Sequence, residues 1–242
     1  MNFNELFFAM TGGIMPALLW LWFWLKEDRL HPEPRRLLIL TFLAGMGVVA
    51  LALPIEQITN WAFKKMAIEN LWGGFALLFM WALAEELTKY LAARKVAFER
   101  KDFDEPIDAI IYLITAALGF AAFENVIFLT EVVGHYGFLA GVVTSNLRFA
   151  GATLLHVLSS SCIGASIAFS FFHKEKLGRN IFGGLMLATL LHTFFNYFII
   201  KTNGEHIFQI FFPLWLMVIF LLYIFEKVKK LKRSAQTPTT LE

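Results

Sequence analysis

The sequence has few charged residues and a single cysteine. Asp, Glu, Lys and Arg make up only 17% of the 242 residues, whereas about 25% is typical of soluble chains. The formal net charge is +2, and the basic residues form no single patch, which argues against a nucleic-acid partner. Because Cys162 stands alone, an internal disulfide and a cysteine-rich metal site are both excluded.

Several catalytic and nucleotide-binding motifs are also missing. His-Glu-x-x-His does not occur, which argues against the zinc-binding helix of site-two-type proteases. Gly-x-Ser-x-Gly and Gly-x-Gly-Asp are missing as well, which argues against rhomboid and presenilin chemistries. No P-loop is present.

Apolar residues are abundant instead, at 58% of the chain, including 27 Phe and 7 Trp. A soluble domain of this size could not bury so much apolar surface, so the surplus must face lipid. A helix crosses a hydrocarbon core with about 20 apolar residues, and only helices are expected because lipid offers no partner to backbone polar groups. We therefore predict an all-α polytopic membrane protein with about seven transmembrane helices, at 6–25, 37–55, 71–91, 107–133, 149–172, 181–200 and 207–225.

The distribution of Lys and Arg predicts the orientation. Basic residues concentrate in alternate connectors and after the last span, so the positive-inside rule places the N-terminus outside and the C-terminus in the cytoplasm. The segment 134–148 is too short to cross comfortably and is predicted to be a surface or re-entrant helix. Residues 1–233 are expected to form one membrane domain with a catalytic core at about 71–198, followed by a disordered tail at 234–242.

Titratable residues inside the spans are confined to the third to the sixth. Because such groups are costly in the membrane, they suggest a polar site enclosed by four helices. In span three, Glu85 and Lys89 are four apart and share a helix face, while Glu86 points about 100° away. Two carboxylates near one lysine should titrate differently, as acid–base chemistry requires. A purely structural ion pair is the alternative.

The other three polar spans each contribute one titratable candidate residue, and two of them add a polar residue one turn later. Glu124 lies in span four, His156 precedes Ser160 by one turn in span five, and His192 precedes Asn196 by one turn in span six. Packed, hydrogen-bonded side chains without chemistry are the alternative interpretation for each. Together with the glutamates, the two histidines suit either a zinc ion or a constellation that activates water.

These residues resemble the motifs of the PrsW family of intramembrane proteases, within the larger superfamily of CAAX-prenyl endopeptidases and bacteriocin-processing proteins. The resemblance runs from about Leu71 to Phe198 and rests on the following features: Glu85-Glu86-x-x-Lys89, Asp104-Glu105-Pro106-Ile107-Asp108, Gly119-Phe120-Ala121-Ala122-Phe123-Glu124-Asn125, Arg148 with His156, and Leu191-His192-x-x-x-Asn196. The wider superfamily usually has Phe-x-x-x-His where this chain has Phe120 and then Glu124. The resemblance implies a protease of a bacterial-type cell membrane that cleaves single-pass membrane proteins, such as an anti-sigma factor.

The expected mechanism is hydrolysis by glutamate-activated water. Glu85 or Glu86 would deprotonate the water, with help from Glu124 and His156, and His192 and Asn196 would bind the oxyanion. Lys89, Arg148 and Ser160 are expected to support them. A metal-dependent variant stays open, with His156, His192 and Glu124 as candidate zinc ligands.

The cut is expected near the extracytoplasmic end of the substrate's span, because His156, His192 and Glu124 are predicted in the outer half of the membrane. Two alternatives are a proton- or cation-coupled transporter, against which no inverted repeat is visible, and a non-catalytic membrane binding or immunity protein. The expected partners are the lipid bilayer and the substrate protein, and no nucleic-acid partner is expected.

Overall fold

The chain folds as a bundle of helices. The computed structural model describes residues 3–29, 31–66, 71–202 and 206–231, and within these ranges it contains no strand. The helices are α1 (Phe3–Trp24), α2 (Arg35–Lys65), α3 (Leu71–Ala93), α4 (Asp108–Leu147), α5 (Thr153–Phe169), α6 (Lys174–Lys201) and α7 (Ile207–Val228). The all-α class predicted from the sequence is confirmed. The predicted tail at 234–242 lies outside the described residues.

Five helical segments of the described chain are long and apolar enough to cross a membrane, namely Phe3–Asp28, Arg35–Lys65, Asp108–Phe169, Lys174–Lys201 and Ile207–Val228. The third of these has 62 residues and comprises α4 and α5. Helix α3, which carries Glu85, Glu86 and Lys89, is not among the five. The protein is therefore a multi-pass membrane protein, and the count of seven crossings stays a prediction.

The segment 134–148 differs from its predicted form. It is helical on both sides of Gly137, whose φ of 83° lies in the left-handed region that favours glycine. Beyond Gly137 the chain turns back on itself. The turn brings Gly141 so close to Val133 that a Cβ added at Gly141 would lie 2.5 Å from Val133 Cγ2. The returning helix passes through a π-helical turn (Arg148–Ala152) into α5. The segment thus holds the tip of a helical hairpin and the first turns of its returning arm, rather than a separate helix.

The first half of α4 forms the centre of the bundle, and every residue from Asp108 to Ala122 is buried. Small residues let α2 cross α4 closely. A Cβ added at Gly45 would lie 2.1 Å from the Ala116 carbonyl oxygen, and one added at Gly119 would lie 2.0 Å from that of Phe42. Such small-residue crossings are common between membrane helices. This contact fixes the position of α4 against α2 next to the polar residues of the site.

The outer surface of the bundle is apolar, as lipid contact requires. Phe3, Phe208 and Ile219 on α1 and α7 are all strongly exposed. At four helix ends a Lys ammonium lies over an aromatic ring one turn earlier, in the pairs Lys26–Trp22, Lys65–Trp61, Lys201–Tyr197 and Lys227–Tyr223. Aromatic rings and long basic side chains are both typical of the membrane–water interface.

Candidate active site

The Glu86 carboxylate on α3 is the most heavily hydrogen-bonded group of the site. Its Oε1 accepts bonds from Lys89 Nζ at 2.8 Å, Ser159 Oγ at 2.9 Å and His192 Nδ1 at 2.9 Å. Its Oε2 accepts a bond from Ser160 Oγ at 2.6 Å. Glu86 is fully buried, and its donors come from α3, α5 and α6. A carboxylate with four donors is held ionised and fixed in place.

Lys89 joins the two glutamates to the first histidine. Its fully buried ammonium donates to Glu85 Oε2 at 3.2 Å, to Glu86 Oε1 at 2.8 Å and to His156 Nδ1 at 2.7 Å. All three ammonium protons are therefore used. The ammonium also lies 4.4 Å from the centre of the Phe120 ring, which favours a cation. The predicted pairing of Glu85 with Lys89 is present, and Glu86 pairs with Lys89 as well.

Glu124 on α4 is bound from the returning arm of the hairpin. Its Oε2 accepts bonds from Arg148 Nη2 at 2.8 Å and from His156 Nε2 at 2.9 Å. Arg148 Nε also donates to Asn125 Oδ1, and Asn125 Nδ2 donates to Thr153 Oγ1 at 3.0 Å. The turn at Gly137 brings these residues together, although Glu124 and Arg148 are 24 positions apart. The Glu124 side chain keeps 30% of its surface exposed, more than Glu85 at 8% or Glu86 at 0%.

The two histidines are oriented by two different carboxylates. His156 accepts from Lys89 at Nδ1 and therefore donates from Nε2 to Glu124. His192 donates from Nδ1 to Glu86, so its neutral ring leaves a lone pair at Nε2. The two rings lie 5.1 Å apart, nearly perpendicular. His156 Nδ1 and His192 Nε2 both face Glu85 Oε2, at 3.6 and 3.8 Å.

Glu85, His156 and His192 could hold a metal ion. One ligand atom from each lies within 4.8 Å of the others, and two imidazoles with one carboxylate form a known zinc donor set. Glu85 rather than the expected Glu124 is the third member, because Glu124 bonds the far nitrogen of His156. The residue types fit a zinc ion. An ion there would compete with Lys89 for the lone pair on His156 Nδ1.

The remaining predicted residues differ in how closely they join the cluster. Ser160 contacts Glu86 directly. Asn196 lies half-buried on α6, one turn beyond His192, and within the described chain its side chain makes no hydrogen bond.

Two further polar residues were missed from the sequence. Ser159 donates to Glu86, and the run of three serines in an apolar helix was the available signal. Glu56 was assigned to a connector because the predicted span ended at residue 55, whereas α2 continues to Lys65. It faces the site from α2 and interacts electrostatically with Glu85, Glu124, Lys89 and His192.

Comparison with known proteins places this sequence in a family. The family model described as PrsW family intramembrane metalloprotease matches residues 33–224. The chain is 28% identical over 192 residues to a Protease PrsW of Oceanobacillus iheyensis, covering 79% of this chain and 82% of that protein. It is 25% identical over 228 residues to Protease PrsW of Bacillus subtilis, covering 93% and 96%. No solved structure matches the chain. Because the family model covers most of the chain and the Glu–His–His cluster lies within the matched part, the chain belongs to the PrsW family of membrane-embedded peptidases.

Proposed function

We propose that the protein hydrolyses a peptide bond of a single-pass membrane protein, such as an anti-sigma factor, at the polar cluster between α3 and α6. One observation carries the proposal. Each histidine bonds a carboxylate through one ring nitrogen, and the other nitrogen faces Glu85. In catalytic metal sites, a histidine that binds the metal through one ring nitrogen typically donates a hydrogen bond to a carboxylate through the other. The carboxylate fixes the orientation of the ring and its tautomer.

Glu85 is the residue that receives the proton of the attacking water. No hydrogen bond in the described part of the chain involves Glu85 Oε1, whereas both oxygens of Glu86 are occupied by donors. The Glu85 side chain also keeps 8% of its surface exposed, against 0% for Glu86. Glu86 therefore orients His192 and Lys89, and Glu85 has an oxygen free for water.

The proposed reaction is the hydrolysis of a peptide bond by one water molecule. The water oxygen bonds to the scissile carbonyl carbon while its proton passes to Glu85 Oε1. The oxyanion lies near Asn196, whose amide makes no hydrogen bond within the described chain and can donate to it. The proton then passes to the leaving nitrogen as the C–N bond breaks, which gives a carboxylic acid and an amine.

The metal-dependent form of the proposal assigns the residues differently: Glu85, His156 and His192 would hold a zinc ion, and another glutamate would then take up the proton. When bound, the zinc ion would lower the pKa of water and polarise the scissile carbonyl. Purified protein that contains no metal by elemental analysis and stays active after exhaustive chelation would eliminate this part of the proposal.

The topology belongs to the same proposal. The N-terminus is outside a bacterial-type cell membrane and the C-terminus is in the cytoplasm, with residues 1–233 forming one membrane domain. The site then lies in the outer half of the membrane, and the cut falls near the extracytoplasmic end of the substrate's span, where the last helical hydrogen bonds are unmade anyway. A reporter fused after Arg233 should be cytoplasmic, and a reporter near Lys65 should be outside.

The central experiment is co-expression with a tagged single-pass protein. The native chain should release a shorter product and Glu85→Gln should not, because Gln cannot take up the proton. Glu99→Gln, which removes an exposed acid outside the membrane, is the matched control and should cleave normally. Mass spectrometry of the product termini checks the position of the cut. Cleavage by Glu85→Gln at the native rate would contradict the proposed role.

A further inference from the structure

Glu56 lies beside the site but belongs to none of its hydrogen bonds. The indole Nε1 of Trp81 on α3 donates to the Glu56 carbonyl oxygen at 3.1 Å and to Thr59 Oγ1 at 3.0 Å. Trp81 and Glu85 are four residues apart and share a face of α3. Glu56 therefore lies at the level of Trp81, which is about one helical turn, or about 5 Å along the axis of α3, from Glu85 toward the Lys65 end of α2; that end is the outer end in the proposed topology.

The carboxylate of Glu56 differs in its surroundings from the other carboxylates of the site. In the described chain it makes no hydrogen bond and no ion pair, although the charges of Glu85, Glu124, Lys89 and His192 act on it. The two cations of the site are already engaged, because Lys89 bonds Glu85 and Glu86 while Arg148 bonds Glu124. Glu56 is half-buried, so it remains accessible. Burial and the nearby Glu85 and Glu124 disfavour the ionised form of the Glu56 carboxyl group, so a cation supplied from outside would stabilise the carboxylate.

We propose that Glu56 determines specificity by binding a Lys or Arg side chain of the substrate on the outer side of the scissile bond. The inference rests on the proposed function and names a feature of its substrates. An unwound strand advances about 3.3 Å per residue, and Lys and Arg have long, flexible stems. A basic residue within about three positions of the cut therefore reaches Glu56 while the scissile carbonyl lies at Glu85.

Two readouts test the inference with the full-length protein. Cleavage is measured for a pair of single-pass substrates that differ only in Lys or Gln two residues outside the cut. Binding of the same pair is measured separately to the Glu85→Gln variant, so it does not require turnover. We expect a preference of about tenfold for the Lys substrate in both readouts, which corresponds to about 1.4 kcal/mol, and in cleavage mainly through KM.

Charge exchange supplies the decisive variants. Glu56→Gln should lose the preference for Lys, and Glu56→Lys should instead prefer a substrate with Glu at that position. Gln57→Lys, which adds the same charge on the neighbouring exposed residue, is the matched control and should keep the native preference.

Three outcomes would overturn the inference. The first is an unchanged preference in Glu56→Gln, and the second is equal binding of the two substrates to the Glu85→Gln variant. The third is an equal fall in kcat for both substrates in Glu56→Gln, which would assign Glu56 to the chemistry instead. A native protein that binds with the expected preference but cleaves neither substrate would contradict the proposed function and leave the recognition by Glu56 supported.

Discussion

Two regions of helix α4, its start and its middle, hold carboxyl groups differently. At the start, Tyr112 Oη donates to Glu33, and Asp108 accepts the backbone N–H groups of Asp104 and Glu105 at 2.9 and 2.7 Å. No Lys or Arg of the described chain bonds Glu33 or Asp108. Near the middle, Glu124 is bound by Arg148 and His156.

The difference shows how the fold decides which carboxyl groups stay charged. Burial raises the pKa of Glu33 to about 9, and the neighbouring Asp108 and Asp28 add to the rise, so this group keeps its proton at neutral pH. Around the site, Lys89 and Arg148 accompany the carboxylates into the interior. Charge is thus kept where cations accompany the carboxylates, and a proton neutralises Glu33, for which the described chain provides no Lys or Arg partner.

Removing the central cation of the site should have the largest effect on stability. Lys89→Leu leaves Glu85 and Glu86 buried without their ammonium partner, and unpairing a buried charge costs about 3–5 kcal/mol. Thermal unfolding of the purified protein in detergent should show a large loss of stability. Lys95→Leu, which removes an exposed lysine outside the membrane, is the control and should unfold as the native protein does. A native melting temperature in Lys89→Leu would mean that the ion pairs contribute little.

Removing the carboxylate behind His156 should affect activity more than stability. Glu124→Ala deletes the acceptor of His156 Nε2–H, and loss of such an orienting partner typically costs about 10–100-fold in activity or metal affinity. The cleavage rate and the affinity for added zinc both measure the change. Glu131→Ala removes an exposed acid two turns further along the same face of α4 and should behave as the native chain. Equal losses in both variants would refute a specific role for Glu124.

Neutralising Glu33 should have the smallest effect, and that effect should depend on pH. The pKa of Glu33 is raised from 4.5 to about 9, so the folded state binds more protons than the unfolded state between these values and stability falls as pH rises. Glu33→Gln should flatten this dependence and stabilise the protein by on the order of 1 kcal/mol at neutral pH, after allowance for solvent screening, and by more toward pH 9.

Thermal unfolding at several pH values measures the effect of Glu33→Gln. Glu99→Gln, an exposed acid, should leave the pH dependence unchanged. A Glu33→Gln variant whose stability falls with pH as steeply as that of the native chain would show that Glu33 is already ionised. The contrast between the two regions would then disappear.

The linear sequence predicted the helices and the residues of the site, but not how the site residues pair. Glu85 and Lys89 could be paired from their spacing, because positions four apart share a helix face. The bonds from His192 to Glu86 and from His156 to Glu124 join different helices, and no periodicity encodes them. A helix pattern shows which face a residue occupies but not which helix it meets. Glu56 was missed because the predicted span ended one residue before it, whereas α2 continues to Lys65.

The sequence by itself determined that the chain enters the membrane, that its elements are helices and that its polar residues gather on α3 to α6. These follow from solvation, because apolar runs leave water and a backbone in lipid must bond to itself. The tertiary structure decided that Glu85 rather than Glu124 completes the Glu–His–His group, that Gly137 turns 134–148 into a hairpin tip, and that Glu33 lies against Tyr112. Packing makes these choices, because it alone determines which distant residues share a low-dielectric interior, where each charge needs a partner.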